Sequence, residues 1–157
     1  MGQKPSLVVE VEIQAPVDVV KSVFKDFSRF REWSSWSIDP AVSSKKYDDL
    51  IPEEKLSVDI EGFKFTATLL KNDPDLFEWA GGLWPLLLGE HEFFWRASTK
   101  TPGGTTFVQR ESWRGLMAFL WQRDWIMGRK TFKSFSLFNS EIKKEAERRA
   151  AANSESS

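Results

Sequence analysis

Apolar and polar positions alternate along much of this chain. Leu7, Val9, Val11 and Ile13 take turns with Val8, Glu10, Glu12 and Gln14, the period-two signature of a half-buried strand. Ala15-Pro16 ends it, and Pro16 suits the first turn of a helix, where a missing amide costs nothing. Val19, Val20, Val23, Phe24 and Phe27 then recur at helical spacing, and Phe30 and Trp33 mark a second short helical piece. Residues 34–44 read as a loop around Pro40, and residues 45–50 offer a short strand. Leu56, Val58 and Ile60, a Glu61-Gly62 turn, and Phe63, Phe65, Ala67 and Leu69 predict a hairpin. Asn72-Asp73-Pro74-Asp75 turns again into a strand over 76–80, with Phe77 and Trp79 on one face and Glu78 on the other.

The longest hairpin follows. Its first strand carries His91, Phe93 and Trp95 on one face; Gly103-Gly104 turns the chain; its second strand carries Phe107, Gln109, Glu111 and Trp113. An ordinary core face would be aliphatic and aromatic throughout. A His, a Gln and a Glu set among rings suggest a cavity lining with polar points inside it. Register decides this, because a one-residue slip would turn Glu90, Glu92 and Arg110 inward instead. Residues 129–150 close the chain with a helix whose Phe132, Phe135, Phe138, Ile142 and Ala146 share a face. The charge run at Lys143, Lys144, Glu145, Glu147, Arg148 and Arg149 is its solvated side.

Segregated helices and hairpin-linked strands make the expected class α+β. We read a polar segment at 1–6, one domain at 7–150 and a frayed tail at 151–157. The start of the long hairpin's first strand and the end of its second lie at the same end. The apolar connections at 81–88 and 116–128 therefore sit side by side. Loops are normally polar. Two adjacent apolar ones suggest a cavity mouth, a membrane-docking tip or a dimer contact; alternatively they pack on each other as a closed cap.

Composition narrows the chemistry. The chain has no Cys, which removes disulfides, thiolate nucleophiles and Cys-based metal sites, and it suits a reducing, cytoplasmic setting. One His rules out a multi-His centre, no carboxylate cluster stands out, and neither a metal nor a cofactor is expected. A net charge of −1 without a basic stripe argues against nucleic acid. No apolar run reaches membrane-spanning length, and residues 1–6 are too polar for a secretory signal. Met1-Gly2 with Ser6 matches an N-myristoylation pattern, but Pro5 interrupts it and we read it as coincidence. Neither a Gly-x-Ser-x-Gly elbow nor a Gly-rich phosphate loop before a helix is present. Eight Trp and thirteen Phe suit a flat or polycyclic ligand as well as an aromatic core.

Glu111 is the candidate for acid–base work, since an inward position would raise its pKa, with His91 on the adjacent strand as its partner. The alternative for both is structural: a hydrogen-bonded Glu, and a His that orients the hairpin.

Several segments go together: Ile13-Gln14-Ala15-Pro16-Val17-Asp18-Val19-Val20, Phe24-Lys25-Asp26-Phe27 with Phe30 and Trp33, and Phe77-Glu78-Trp79-Ala80-Gly81. Gly89-Glu90-His91-Glu92-Phe93, the stretch 104–115 and the ending around Phe138-Asn139-Ser140-Glu141-Ile142 add to them. In this combination they resemble the helix-grip domains of the SRPBCC superfamily, which includes START lipid-transfer domains, the birch-pollen-allergen fold and bacterial polyketide cyclases. The resemblance spans about residues 7–150 and is closest to a cyclase-like branch. It implies a curved seven-stranded antiparallel sheet gripping the last helix, with a ligand cavity between. Members share the cavity and not a reaction.

The expected ligand-binding residues are Phe65, Trp79, Trp84, Phe93, Trp95, Phe107, Gln109, Trp113, Phe135 and Phe138. Three uses stay open. One is a carrier or binder of a hydrophobic, aromatic, polyketide-like or lipid-like molecule. The second is a cyclase- or aromatase-like lyase or isomerase using Glu111 and His91. The third is a membrane- or protein-interaction module built on the apolar loops, touching membranes transiently. A monomer or weak homodimer is expected.

Overall fold

The computed structural model describes residues 4–156. Gly2, and with it the myristoylation pattern, lies outside them. Seven strands form one antiparallel sheet: β1 (Ser6–Ile13), β2 (Trp36–Pro40), β3 (Lys55–Ile60), β4 (Phe63–Asp73), β5 (Leu76–Leu83), β6 (Leu87–Ala97) and β7 (Thr105–Arg114). Their order across the sheet is β1-β7-β6-β5-β4-β3-β2. Between β1 and β2 lie α1 (Val17–Lys25), a 3-10 turn and α2 (Phe30–Trp33); the chain ends in α3 (Ile126–Glu155). This is the α+β helix-grip architecture that the sequence predicts. Among the described residues no helix is long and apolar enough to cross a membrane.

The sheet curves around α3, helped by a register shift between Leu69 and Lys71 in β4. The concave face collects the alternating apolar positions: Leu56, Val58, Ala67, Leu69, Phe77, Trp79, Phe93, Trp95 and Phe107 are all buried. Helix α3 closes over them with Phe135, Phe138, Ile142 and Ala146. Phe132, expected on that face, is 41% exposed. The first turns of α3 stand away from the core, over the open end of the sheet.

Three local expectations are corrected. Trp36–Pro40 is a strand, not a loop; Trp36 and Ile38 alternate into the core, and Pro40 is tolerated because β2 is an edge strand. Tyr47–Asp49 is a 3-10 turn rather than a strand. Helix α3 runs to Glu155, so 151–155 continue it instead of fraying. The connection at 81–88 is also shorter than expected, because Leu83 and Leu87 still pair as strand residues. It lies against the 116–128 connection as predicted, with Leu116 N–H donating to Pro85 O (3.0 Å) and Met117 N–H to Leu86 O (2.8 Å).

Candidate functional site

The interior is solid at one end and hollow at the other. At the solid end Phe24 of α1 lies in the middle of a cluster of rings, 5.0 Å from Phe93, 5.3 Å from Trp95 and 5.7 Å from Phe77 between centroids. Trp36 packs on Phe138 at 4.7 Å. No room for a ligand is left there. At the other end a cavity of about 590 Å³ opens between the sheet and the first turns of α3.

Its walls are Ile60, Phe63, Phe65, Trp79, Leu87, His91, Glu111 and Trp113 from the strands, Trp121 from the β7–α3 connection, and Met127, Lys130, Thr131, Ser134 and Phe135 from α3. Its floor is made of missing side chains. Gly81 of β5 and Gly89 of β6 are cross-strand partners. A Cβ at Gly89 would stand 2.5 Å from Glu111 Oε1 and 3.2 Å from Trp113 Cδ1 and Nε1; one at Gly81 would meet the Phe65 ring at 3.0 Å. Gly89 has no left-handed backbone to explain it, so space, not conformation, calls for glycine. Across the mouth, Ser134 Oγ donates to Glu61 Oε2 at 2.5 Å, tying α3 to the β3–β4 turn.

The β6–β7 register pairs His91 with Glu111 and Phe93 with Gln109, both inside. The slipped alternative fails: Glu92 and Arg110 pair on the outer face at 2.6 Å. Gln109 Nε2 donates to the Phe135 carbonyl (3.0 Å) and to Asn139 Oδ1 (2.7 Å), while Asn139 Nδ2 donates to Val9 O (3.2 Å). Both amide protons of Gln109 are thus engaged, and its Oε1 faces His91 Nε2 at 3.0 Å. That assigns the imidazole proton to Nε2 and leaves the Nδ1 lone pair facing Glu111 Oε2 at 3.5 Å. Burial holds His91 neutral, lowering its pKa to about 3 against the opposing Gln109 hydrogen bond. Burial also pushes Glu111 up to about 8. The pair is therefore a neutral imidazole beside a protonated carboxyl at neutral pH.

The expected site residues separate along the strands. Phe65, Trp79, Trp113, Phe135, His91 and Glu111 meet at the cavity. Phe93, Trp95, Phe107 and Phe138 share the inward face but belong to the solid end. Gln109 is buried behind His91 as part of the hydrogen-bond chain. Trp84 is not in the cavity; it is 61% exposed, with the Arg114 guanidinium 5.5 Å over its ring. Sequence reasoning did not name Asn139, Lys130 or the glycine floor as site residues; Trp121 and Met127 come from the 116–128 connection that it set at the mouth. The signal for the floor was available, because Gly81 and Gly89 interrupt strand alternation. Among the described residues no group of three His, Asp or Glu side chains gathers where a metal ion could be held.

No family model matches this chain, and no curated protein matches it. Solved structures do. Protein jhp0584 of Helicobacter pylori superposes with a TM-score of 0.67 at 12% identity, over 92% of this chain and 88% of its own. A START superfamily protein from Mycobacterium smegmatis gives 0.58 at 14%, over 96% and 99%. CalU16 from Micromonospora echinospora gives 0.58 at 16%, over 96% and 88%. At these identities the likeness is one of fold. The chain has the START-like, helix-grip fold.

Proposed function

We propose that this protein binds a hydrophobic small molecule, aromatic, polyketide-like or lipid-like, in the cavity between the sheet and α3, as a carrier or binding protein. One observation carries the reading: a cavity of about 590 Å³ lined by rings and floored by glycines. Small-molecule sites are apolar clefts of roughly 300–1,000 Å³ with a few placed polar groups, and this one fits in size and character. Three cavity-lining tryptophans, Trp79, Trp113 and Trp121, serve as reporters. Titration with the neutral dye Nile red is expected to quench their fluorescence saturably at one dye per chain. Absence of saturable quenching would overturn the reading.

The Glu111–His91 pair supports a second reading, a cyclase-like lyase or isomerase in which a carboxyl near neutrality moves a proton on a bound substrate. It requires turnover that Glu111→Gln removes while binding is kept.

The rim of the mouth supports a role in loading. Leu83, Trp84, Leu116 and Ile126 are each more than half exposed at that end. We infer transient membrane contact there. Flotation of the protein with phosphatidylcholine liposomes is expected, and its persistence in a Trp84→Ser, Leu116→Ser double variant would rule out this use of the rim.

A further inference from the structure

The polar groups in the cavity specify more than hydrophobicity. The chain Val9 O, Asn139, Gln109, His91 is anchored on backbone carbonyls, so the imidazole cannot turn over without orphaning buried donors. Its Nδ1 lone pair faces a carboxyl oxygen, Glu111 Oε2, at 3.5 Å. Two facing lone pairs repel, and a single proton held between them turns the contact into attraction. A protonated Glu111 relieves that repulsion by turning its O–H toward Nδ1. The second oxygen, Oε1, is left as an acceptor packed over the Gly89 backbone, where glycine alone gives it room.

Trp113 Nε1 stands on the same side of Gly89, 3.2 Å from where a Cβ would be, and no side-chain hydrogen bond from its N–H is formed among the described residues. One acceptor and one donor thus converge over the Gly89 backbone, less than 6 Å apart, and both line the cavity, so one ligand atom can reach the two. The other charged side chains on the cavity, Glu61 from the β3–β4 turn and Lys130 from α3, are exposed at the mouth.

We propose that the floor of the cavity recognises a hydroxyl group: a hydrophobic alcohol or phenol whose O–H donates to Glu111 Oε1 and whose oxygen accepts from Trp113 Nε1. This deepens the ligand-binding reading and rests on it. A carboxylate ligand is excluded from the floor, because it offers only acceptors to an acceptor. A ketone or an ether satisfies Trp113 and leaves Glu111 Oε1 without a donor.

Isothermal titration calorimetry with four matched probes at neutral pH tests this: 1-naphthol, 1-methoxynaphthalene, 1-acetonaphthone and 1-naphthoate. 1-Naphthol is expected to bind at least about tenfold tighter than the ether or the ketone, the scale of one buried hydrogen bond with its unsatisfied-partner penalty. 1-Naphthoate is expected to bind weakest. Glu111→Leu should bring naphthol down to the ether's affinity. Glu111→Gln should keep the preference, since its amide donates to His91 Nδ1 and its oxygen still accepts from the ligand. Equal binding of naphthol and ether by the wild-type protein, preference for the ketone, or loss of the preference in Glu111→Gln would each overturn the proposal while leaving the cavity occupied. Binding of none of the four would overturn the cavity reading along with it.

Discussion

Leucine at position 89 is expected to weaken hydrophobic-ligand binding by at least about a hundredfold, close to 2.7 kcal/mol, while the sheet stays folded. The position lies in an extended strand, so the backbone accepts a side chain. The obstacle is what the side chain meets. Its Cβ arrives 2.5 Å from Glu111 Oε1 and 3.2 Å from the Trp113 indole, so the carboxyl must swing away from His91. The remaining atoms fill the floor that a ligand would occupy. Such an insertion costs about 1–3 kcal/mol of strain, partly offset by relief of the glycine's entropic penalty within a strand. Circular dichroism should therefore report a folded protein with a lowered Tm. Nile red titration should report lost binding. A dissociation constant unchanged by this substitution would place the ligand elsewhere on the molecule.

The second large effect is on stability against pH. Glu111 is raised from 4.5 to about 8, so the folded protein holds a proton that the unfolded chain releases. Its contribution is present in full below pH 4.5 and is lost as pH rises toward 8. His91 runs the other way. Lowered from 6.5 to about 3, it contributes fully above pH 6.5, and that contribution is lost as pH falls toward 3. Between pH 4.5 and 6.5 the two slopes oppose each other, and stability should be flat. Above 6.5 only the Glu111 slope remains. At about 1.4 kcal/mol per pH unit it removes about 2 kcal/mol by pH 8. Urea denaturation of the wild type and of Glu111→Gln across this range isolates it. The difference between the two curves should change steeply from pH 6.5 to 8. A difference independent of pH would mean that Glu111 is ionised in the folded protein throughout.

The fold and half of the site were legible in the sequence because strand alternation reports which face a side chain takes. It placed His91, Gln109 and Glu111 inward, and it put the 81–88 and 116–128 connections at one end. Alternation says nothing about depth along a strand. Phe93, Trp95 and Phe107 have the same parity as His91 and Glu111, and only the docking of Phe24 from α1 decides that their end is filled. Trp36–Pro40 was missed because two apolar positions are too few to show a period, and Pro40 reads as a breaker. Trp84 was expected to bind ligand, but the turn carries it outward beneath Arg114. The Asn139 link was out of reach, since its partners Gln109 and Val9 come from two distant strands.

The solid and hollow ends of the interior meet where His91 stacks on Phe93 at 4.2 Å and Trp79 lies 4.9 Å from Phe93. Substitutions away from that junction, with no shared partners, add independently. The rings around Phe24 hold the architecture, and the walls around Gly81 and Gly89 determine what it encloses. If the cavity takes the proposed ligand, exchange of Phe65, Leu87 or Met127, none of which makes a ring contact with Phe24, reshapes its walls while the Phe24 cluster stays in place. Such a division lets one scaffold diverge into many specificities, each a short mutational walk from the last.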